Sequence, residues 1–206
     1  MQLGDSSDIT ISASDETPAG GAYLVEERRP KQSLELCEKF SSEGAELLIV
    51  SRDPPSQLIS RTILIPKKTI WLTNLVGADR MNPTSIGILM SEIRKFVEQS
   101  DRRPIVLIDG LEYLISLNTY DRMLQFVHQL RDMFVIAGAV LIMPIDMRTL
   151  TDREQALLER NLNVMSPPIV LPGDMESSEH LSHVPSGEGI RTRSSEVDSH
   201  SEFIET

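Results

Sequence analysis

Residues 104–114, Pro-Ile-Val-Leu-Ile-Asp-Gly-Leu-Glu-Tyr-Leu, decide the fold of this chain. Four aliphatic residues in succession, Ile105 to Ile108, are typical of a strand that is covered on both faces of a parallel sheet. Pro104 precedes the run, at a position where its missing N–H costs no ladder hydrogen bond. The stretch therefore predicts a central buried strand that ends at Asp109 and runs into a helix.

Asp109 has two interpretations. In open α/β sheets, ligands bind beyond the carboxyl ends of the strands, and nucleotide hydrolases keep a Mg²⁺-organising carboxylate there. Alternatively, Asp109 caps the following helix, Gly110 allows the tight turn, and Glu112 completes an acidic capping box. We favour the cap, because the sequence contains no phosphate-binding partner for such a carboxylate.

Four further strand-like runs alternate with helical patterns, which predicts a parallel sheet with right-handed crossovers. These runs lie at residues 22–26, 46–51, 69–73 and 139–143. The clearest helical stripe has apolar residues at the i, i+3, i+4, i+7 spacing and consists of Ile86, Leu89, Met90, Ile93 and Val97. The pattern predicts a three-layer α-β-α domain with a mainly parallel sheet of about five strands.

The charge of the chain is distributed unevenly along its 206 residues. The net charge is −11, yet residues 21–165 are almost neutral. Residues 1–20 carry four acids and no base, and residues 166–206 carry eight acids against two arginines. Acidic, Ser-rich segments of this kind do not form a core. We therefore predict one α/β domain at residues 21–165, a disordered acidic tail at 1–20, and a disordered acidic Ser/Pro-rich tail at 166–206.

Composition also excludes several classes of protein. Cys37 is the single cysteine, so the chain has no intramolecular disulfide. It has no apolar run of about 18 residues, so we expect no membrane span and a cytoplasmic location. The acidic balance argues against a nucleic-acid partner, which requires a basic face. The identity of any protein partner and the oligomeric state stay open.

Five polar residues are candidates for a ligand or metal site in the crevice at the carboxyl ends of the strands. They are Asp109, Glu112, Asp146, Asn74 and Arg80. Paired carboxylates in such a crevice are suited to a cation. Asp146 also suits a turn cap before Met147. The sequence offers no set of catalytic residues, and we expect neither a bound metal nor a cofactor.

Several short motifs, in order along the chain, resemble the archaeal family called domain of unknown function 835. They span residues 22 to about 162 and lie at 22–27, 70–73, 82–84, 107–114, 141–146 and 150–158. That family is distantly similar to the RecA and KaiC ATPases, in which the first strand runs into a phosphate-binding loop and a later strand ends in an acid. The resemblance implies a reduced RecA/KaiC-like fold, attachment to archaeal sensor or membrane proteins, and no assigned activity.

The loop after the first strand departs from the ATPase pattern. It consists of Glu26-Glu27-Arg28-Arg29-Pro30, and Gly-x-x-x-x-Gly-Lys-Ser/Thr occurs nowhere in the chain. The ATPase loop holds phosphates with consecutive backbone N–H groups and a lysine, whereas two glutamates would repel them. We therefore expect a non-catalytic interaction or regulatory module in archaeal signalling, not an enzyme. The alternative is a nucleotide- or metal-binding enzyme that uses the Asp109 crevice.

Overall fold

The computed structural model describes residues 20–165, which form seven strands and six α-helices. The strands are β1 (Gly21–Glu26), β2 (Glu46–Ser51), β3 (Lys68–Leu72), β4 (Arg80–Met81), β5 (Pro104–Asp109), β6 (Val140–Ile145) and β7 (Asn163–Met165). The helices are α1 (Gln32–Ser42), α2 (Pro55–Arg61), α3 (Ile86–Gln99), α4 (Leu111–Leu117), α5 (Tyr120–Ala137) and α6 (Asp152–Glu159). A 3-10 turn at Met147–Thr149 joins β6 to α6.

All seven strands belong to one parallel sheet with the order β4-β3-β2-β5-β6-β1-β7. β5 lies in the middle, between β2 and β6, and each residue from Ile105 to Ile108 is 0% exposed. The predicted central buried strand is therefore confirmed. The register places Ser51 opposite Asp109 and Glu26 opposite Ile145. The carboxyl ends of β1, β2, β5 and β6 consequently lie along one edge of the sheet.

Helices cover both faces of the sheet, which confirms the three layers. Ile105 and Leu107 pack with Phe40 of α1 and Leu58 of α2. The alternate residues of β5, Val106 and Ile108, pack on the other face with residues of α3, α4, α5 and α6. Because successive side chains of a strand point to opposite faces, one aliphatic run supplies both cores. Each buried aliphatic side chain contributes about 1.5–3 kcal/mol.

The sheet has seven strands, so the prediction of about five is wrong. The two additional strands are the shortest and lie at the two edges: β4 has two residues and β7 has three. Strands this short have too few residues to form an alternating or continuous apolar pattern, which is why the sequence does not reveal them. Short edge strands also limit unwanted pairing with other chains.

Cys37 and the two tails differ in how far the structure describes them. Cys37 is fully buried in α1, and burial raises the pKa of its thiol to about 12, so the thiol stays protonated as part of the core. No helix within residues 20–165 is long and apolar enough to cross a bilayer. Apart from Gly20, the predicted acidic tails lie outside the described residues.

Gly87 and Gly138 differ in backbone conformation, so substituting each with alanine should affect stability in opposite directions. A Cβ added at Gly87 in α3 or at Gly138 after α5 would meet no atom within 4 Å, but Gly138 has a φ of +64°. We expect Gly87→Ala to raise the free energy of unfolding by about 0.4–1 kcal/mol through loss of unfolded-state entropy. Gly138→Ala should lower it by about 1 kcal/mol, because an L residue is strained at that φ.

Urea denaturation of the two variants measures both effects. Since neither substitution creates a steric clash, each is the control for the other. Equal effects of the same sign would contradict the assignment of Gly138 as a left-handed helix terminator.

Candidate functional site

Two crevices are expected at the carboxyl edge of the sheet. The connection after β1 (α1) and the connection after β6 (α6) pack on opposite faces, although β1 and β6 are neighbours. The same is true of neighbouring β2 and β5, which are followed by α2 and α4. Neighbouring strands whose connections leave to opposite faces are where α/β sheets bind ligands. The candidate site therefore has a β1/β6 part and a β2/β5 part.

In the β1/β6 part, the Glu27 carboxylate occupies the N-terminus of α1. It accepts hydrogen bonds from three backbone N–H groups, those of Lys31 (3.0 Å), Gln32 (2.8 Å) and Ser33 (3.0 Å). These donors lie where the helix leaves its N–H groups unpaired and where its dipole favours negative charge. The sequence predicted that this glutamate would repel an anion. In the structure, the glutamate itself serves as the anion.

Glu112 and Asp146 meet at the end of β6. Glu112 Oε1 accepts a hydrogen bond of 2.6 Å from the backbone N–H of Asp146. The Asp146 carboxylate accepts from Arg148 Nε at 2.8 Å and from the Arg148 backbone N–H at 3.2 Å, and Arg28 lies 3.9 Å away. Its hydrogen bonds to Arg148 lower the pKa of Asp146 to about 2. These carboxylates close the turn after β6, and the predicted turn-cap role of Asp146 is confirmed.

In the β2/β5 part, Asp109 pairs with a buried serine. Ser51 Oγ donates to Asp109 Oδ2 at 2.9 Å, and the same hydroxyl accepts from the Asp53 N–H at 3.0 Å. Burial raises the pKa of Asp109; the Ser51 hydrogen bond opposes the shift, and the negative charges of Asp53 and Glu112 reinforce it. Asp109 is thus a half-buried carboxyl group at the mouth of the crevice, and its position is fixed by the hydrogen bond from the Ser51 hydroxyl.

The prediction that Asp109 caps the following helix is wrong. The N-cap of α4 is Gly110, with a φ of +126°, and glycine has no side chain with which to cap the helix. Glu112 reaches the end of β6 instead of completing a capping box. The cause is the parallel register, which places the Ser51 hydroxyl beside the carboxylate. That partner is 58 residues away in the chain and has no local sequence signal.

Beside Asp109, four side chains form what we call the arginine–aromatic chain: Tyr113, Arg52, Trp71 and Arg80. The Arg52 guanidinium lies over the Tyr113 ring, 4.8 Å from its centroid, and the Trp71 indole N–H donates to the Arg52 carbonyl at 3.0 Å. The Arg80 guanidinium lies 5.1 Å from the centroid of the Trp71 ring. Both arginines are exposed, so the arginine–aromatic chain lies at the protein surface.

The structure brings together only part of the predicted set. Glu112 and Asp146 are hydrogen-bonded to each other, Asp109 faces Ser51, and Arg80 lies on Trp71. Asn74 is exposed in the loop between β3 and β4. Within residues 20–165, no group of three or more His, Cys, Asp or Glu residues is placed to hold a metal ion.

Sequence reasoning missed three features of the site. Glu27 precedes the first helical residue by five positions, which is too far for the usual cap signals. By its pattern alone, Ser51 is the polar end of a strand. Trp71 belongs to the predicted strand at 69–73, but its contact with Arg52 depends on the arrangement of β2 and β3 in the sheet.

Comparison with known proteins places the chain in a family. The family described as "Protein of unknown function (DUF835)" matches residues 26–162, and the chain belongs to it. None of the curated proteins matches. Among solved structures, the chain is similar to the cytoplasmic domain of the Thermomonospora curvata type VII secretion ATPase EccC, with a TM-score of 0.42 and 11% identity. That match covers 76% of this chain and 21% of the other.

Asp109 should make stability depend on pH. Because its pKa is raised in the folded state, the folded protein binds the proton more tightly than the unfolded chain does. The contribution of Asp109 to stability is therefore largest at low pH and is lost as the pH rises from its ordinary pKa through the raised value. We expect Asp109→Asn to be more stable than the wild type at pH 7, and the difference to vanish at low pH.

Urea unfolding at a series of pH values, with Asp132→Asn as the matched control, measures this effect. Asp132 is also acidic and is paired with Arg131 on α5, so its amide variant should not reproduce the gain. A loss of stability in Asp109→Asn at pH 7 would contradict the assignment.

Glu27 should be a stabilising residue. Glu27→Ala leaves three N–H groups at the start of α1 without their carboxylate, and we expect a loss of about 1–2 kcal/mol in the free energy of unfolding. Glu35→Ala is the matched control, because Glu35 is exposed on the same helix and belongs to its first turn. Equal losses in the two variants would show that helix charge alone, not the triple hydrogen bond, is responsible.

Proposed function

We propose that this member of the family is a non-catalytic interaction or regulatory module, acting in archaeal signalling on a reduced RecA/KaiC-like fold. The observation that supports the proposal is the Glu27 carboxylate at the N-terminus of α1, with its three backbone hydrogen bonds. In this fold, the loop after β1 would have to hold the phosphates of a nucleotide. Here its donors already have an acceptor.

The chemistry of the loop argues further against phosphate binding. A phosphate cradle uses backbone N–H groups at a helix N-terminus together with a cation. Pro30 has no N–H, and the N–H groups of Lys31, Gln32 and Ser33 donate to Glu27. A nucleotide would have to displace this carboxylate and then tolerate its negative charge nearby. Catalysis by phosphoryl transfer depends on the same positioning and charge stabilisation, so losing the cradle removes both.

One observation favours the alternative, a nucleotide- or metal-binding enzyme that uses the Asp109 crevice. Asp109 is half-buried, and its pKa is raised by burial at the carboxyl edge, where ligands bind in α/β sheets. A carboxylate in an environment that disfavours its charge is a functional-site candidate. The Ser51 hydroxyl accounts for one Asp109 oxygen and leaves the other as a possible ligand atom.

Thermal unfolding with ATP, GTP or cyclic nucleotides, each with and without Mg²⁺, separates the two proposals. A ligand at 100 times its dissociation constant stabilises a protein by about 2.7 kcal/mol, which shifts the melting temperature measurably. We expect no shift for the wild type and no turnover of ATP or GTP by the purified chain. Turnover that is lost in both Asp109→Ala and Glu112→Ala would establish the alternative, whereas turnover unchanged in them indicates a contaminant.

Inorganic phosphate provides a direct test of the role of Glu27. Once Glu27→Ala has freed the three N–H groups, we expect phosphate to raise the melting temperature of this variant more than that of the wild type. Glu35→Ala again serves as the control for general salt effects. An identical phosphate response in all three proteins would show that the carboxylate does not occupy an anion site.

A further inference from the structure

We propose that the loop between β3 and β4, together with the arginine–aromatic chain, is the docking surface for a peptide segment of a protein partner in which carboxylates flank apolar side chains. The inference rests on the proposed function as an interaction module and specifies where the partner binds and what its chemistry is. Three observations support it: exposed apolar side chains, a loop held in one conformation, and two arginines that form no ion pair with a carboxylate within residues 20–165.

The tip of this loop presents apolar surface to solvent. Val76 is 96% exposed and Leu75 is 58% exposed. Their neighbours at the tip, Gly77 and Ala78, carry little or no side chain. Two adjacent aliphatic residues at a loop tip contribute little to folding, because they bury little surface against their own domain. Covering them with a partner would remove this apolar area from water.

The base of the loop is fixed by backbone hydrogen bonds. The Trp71 N–H donates to the Asp79 carbonyl at 2.7 Å, and the Thr73 N–H donates to the Met81 carbonyl at 2.9 Å. Asp79 has a φ of +58°, a left-handed conformation that Asp tolerates better than most residues. This reversal returns the chain alongside β3 and thereby brings Arg80 beside Trp71.

Arg80 holds the tip itself. Its guanidinium lies over Trp71, and its Nη1 donates to the Val76 carbonyl at 3.0 Å. Its side chain also lies against Gly77, where an added Cβ would come within 3.1 Å of Arg80 Cδ and Nε. The exposed apolar tip is thus held in place before any partner arrives, which reduces the entropy lost on binding.

The charge of the surface indicates carboxylates in the partner. Within residues 20–165, neither Arg52 nor Arg80 forms an ion pair with a carboxylate, and the nearby Asp53 is paired with Arg61. Arg80 already donates to the loop, and Asp79 lies next to it in the chain, so we assign Arg52 as the main carboxylate contact. A guanidinium stacked on an aromatic ring can still present its N–H groups to a carboxylate.

The residue types agree with a protein partner. Trp, Tyr and Arg are the side chains most enriched among those that dominate binding energy at protein interfaces. Two guanidiniums in a nearly neutral domain do not form the basic face that nucleic-acid binding requires. Contacts link the whole surface: Tyr113 to Arg52, Arg52 to Trp71, and Trp71 through Arg80 to Val76.

A phage-displayed library of random 12-residue peptides, selected on the full chain, tests the inference. We expect enriched peptides to contain Asp or Glu next to Leu, Ile, Phe or Trp. The most enriched peptide is then synthesised with a fluorescent label, and its dissociation constant is measured by fluorescence polarisation. Binding should weaken as NaCl is raised, because exposed charge pairs are screened by salt.

Variants and matched controls locate the binding surface. Val76→Asp and Arg52→Gln should each weaken peptide binding by about tenfold or more, the size of effect expected when a dominant contact is removed. Ile65→Asp and Arg153→Gln are the controls. Ile65 is 93% exposed and precedes β3, so Ile65→Asp replaces an exposed aliphatic side chain with a carboxylate away from the carboxyl edge. Arg153 is exposed on α6, so Arg153→Gln removes an exposed guanidinium outside the proposed surface. Both controls should bind like the wild type.

The outcomes distinguish this inference from the proposed function. If enriched peptides bind Val76→Asp and Arg52→Gln as tightly as the wild type, the docking surface is wrong while the interaction module stands. Failure to enrich any peptide, or enrichment of basic peptides, also overturns the surface. Nucleotide turnover that requires Asp109 would overturn the proposed function, whereas the docking surface is decided by the peptide-binding measurements on Val76→Asp and Arg52→Gln.

Discussion

The complete burial of Ile105 to Ile108 of β5 between two layers of helices is the constraint on which the rest of the structure depends. A strand without a solvent-exposed face must satisfy its backbone groups through neighbouring strands, here β2 and β6. That requirement fixes the register, and the register in turn places Ser51 opposite Asp109. The hydroxyl–carboxyl pair at the crevice therefore follows from core packing, because a slip of one residue would move every side chain of the strand to the wrong face.

The same constraint explains which features the sequence predicts. An apolar run such as Ile105 to Ile108 specifies burial on both faces, and burial on both faces requires helices on both sides, so the layers follow from local information. β4 and β7 are held by pairing with longer neighbours and have no such signal. At the site, the sequence predicts the position of Asp109 but not its partner, because Ser51 reaches it only through sheet pairing. The sequence also shows Glu27 as an acid after β1, but its hydrogen bonds depend on the path of the loop.

The carboxyl edge of the sheet differs in character from one side to the other. At β1 and β6, charged groups are satisfied internally: Glu27 by backbone N–H groups, and Asp146 by Arg148 and by Arg28 from the loop after β1. Beyond β2 and at β4, Arg52 and Arg80 lie on aromatic rings and present their charge outward beside an apolar loop tip. The first arrangement stabilises the fold, because it pairs groups that would otherwise need solvent or a ligand. The second arrangement leaves apolar surface exposed, and covering that surface with another molecule would lower the free energy.

The Glu27 carboxylate and a nucleotide phosphate would compete for the N–H groups at the N-terminus of α1, and their concentrations at that site decide which one binds. A group joined to its site by a short flexible segment behaves as if present at millimolar concentration. Glu27 is four residues from its first donor, Lys31, and β1 holds the preceding residues in the sheet, so less freedom is lost than with a flexible linker. A free nucleotide must therefore overcome a competitor at millimolar effective concentration or higher, and must then leave the displaced carboxylate in solvent close to its own phosphates. Two unit charges about 4 Å apart repel by about 1 kcal/mol in bulk water and by about 4 kcal/mol at the effective dielectric constant of about 20 near a protein surface, so the affinity falls by about fivefold to a thousandfold. The internal carboxylate thus acts twice against a phosphate, first as a competitor for the donors and then as a neighbouring charge.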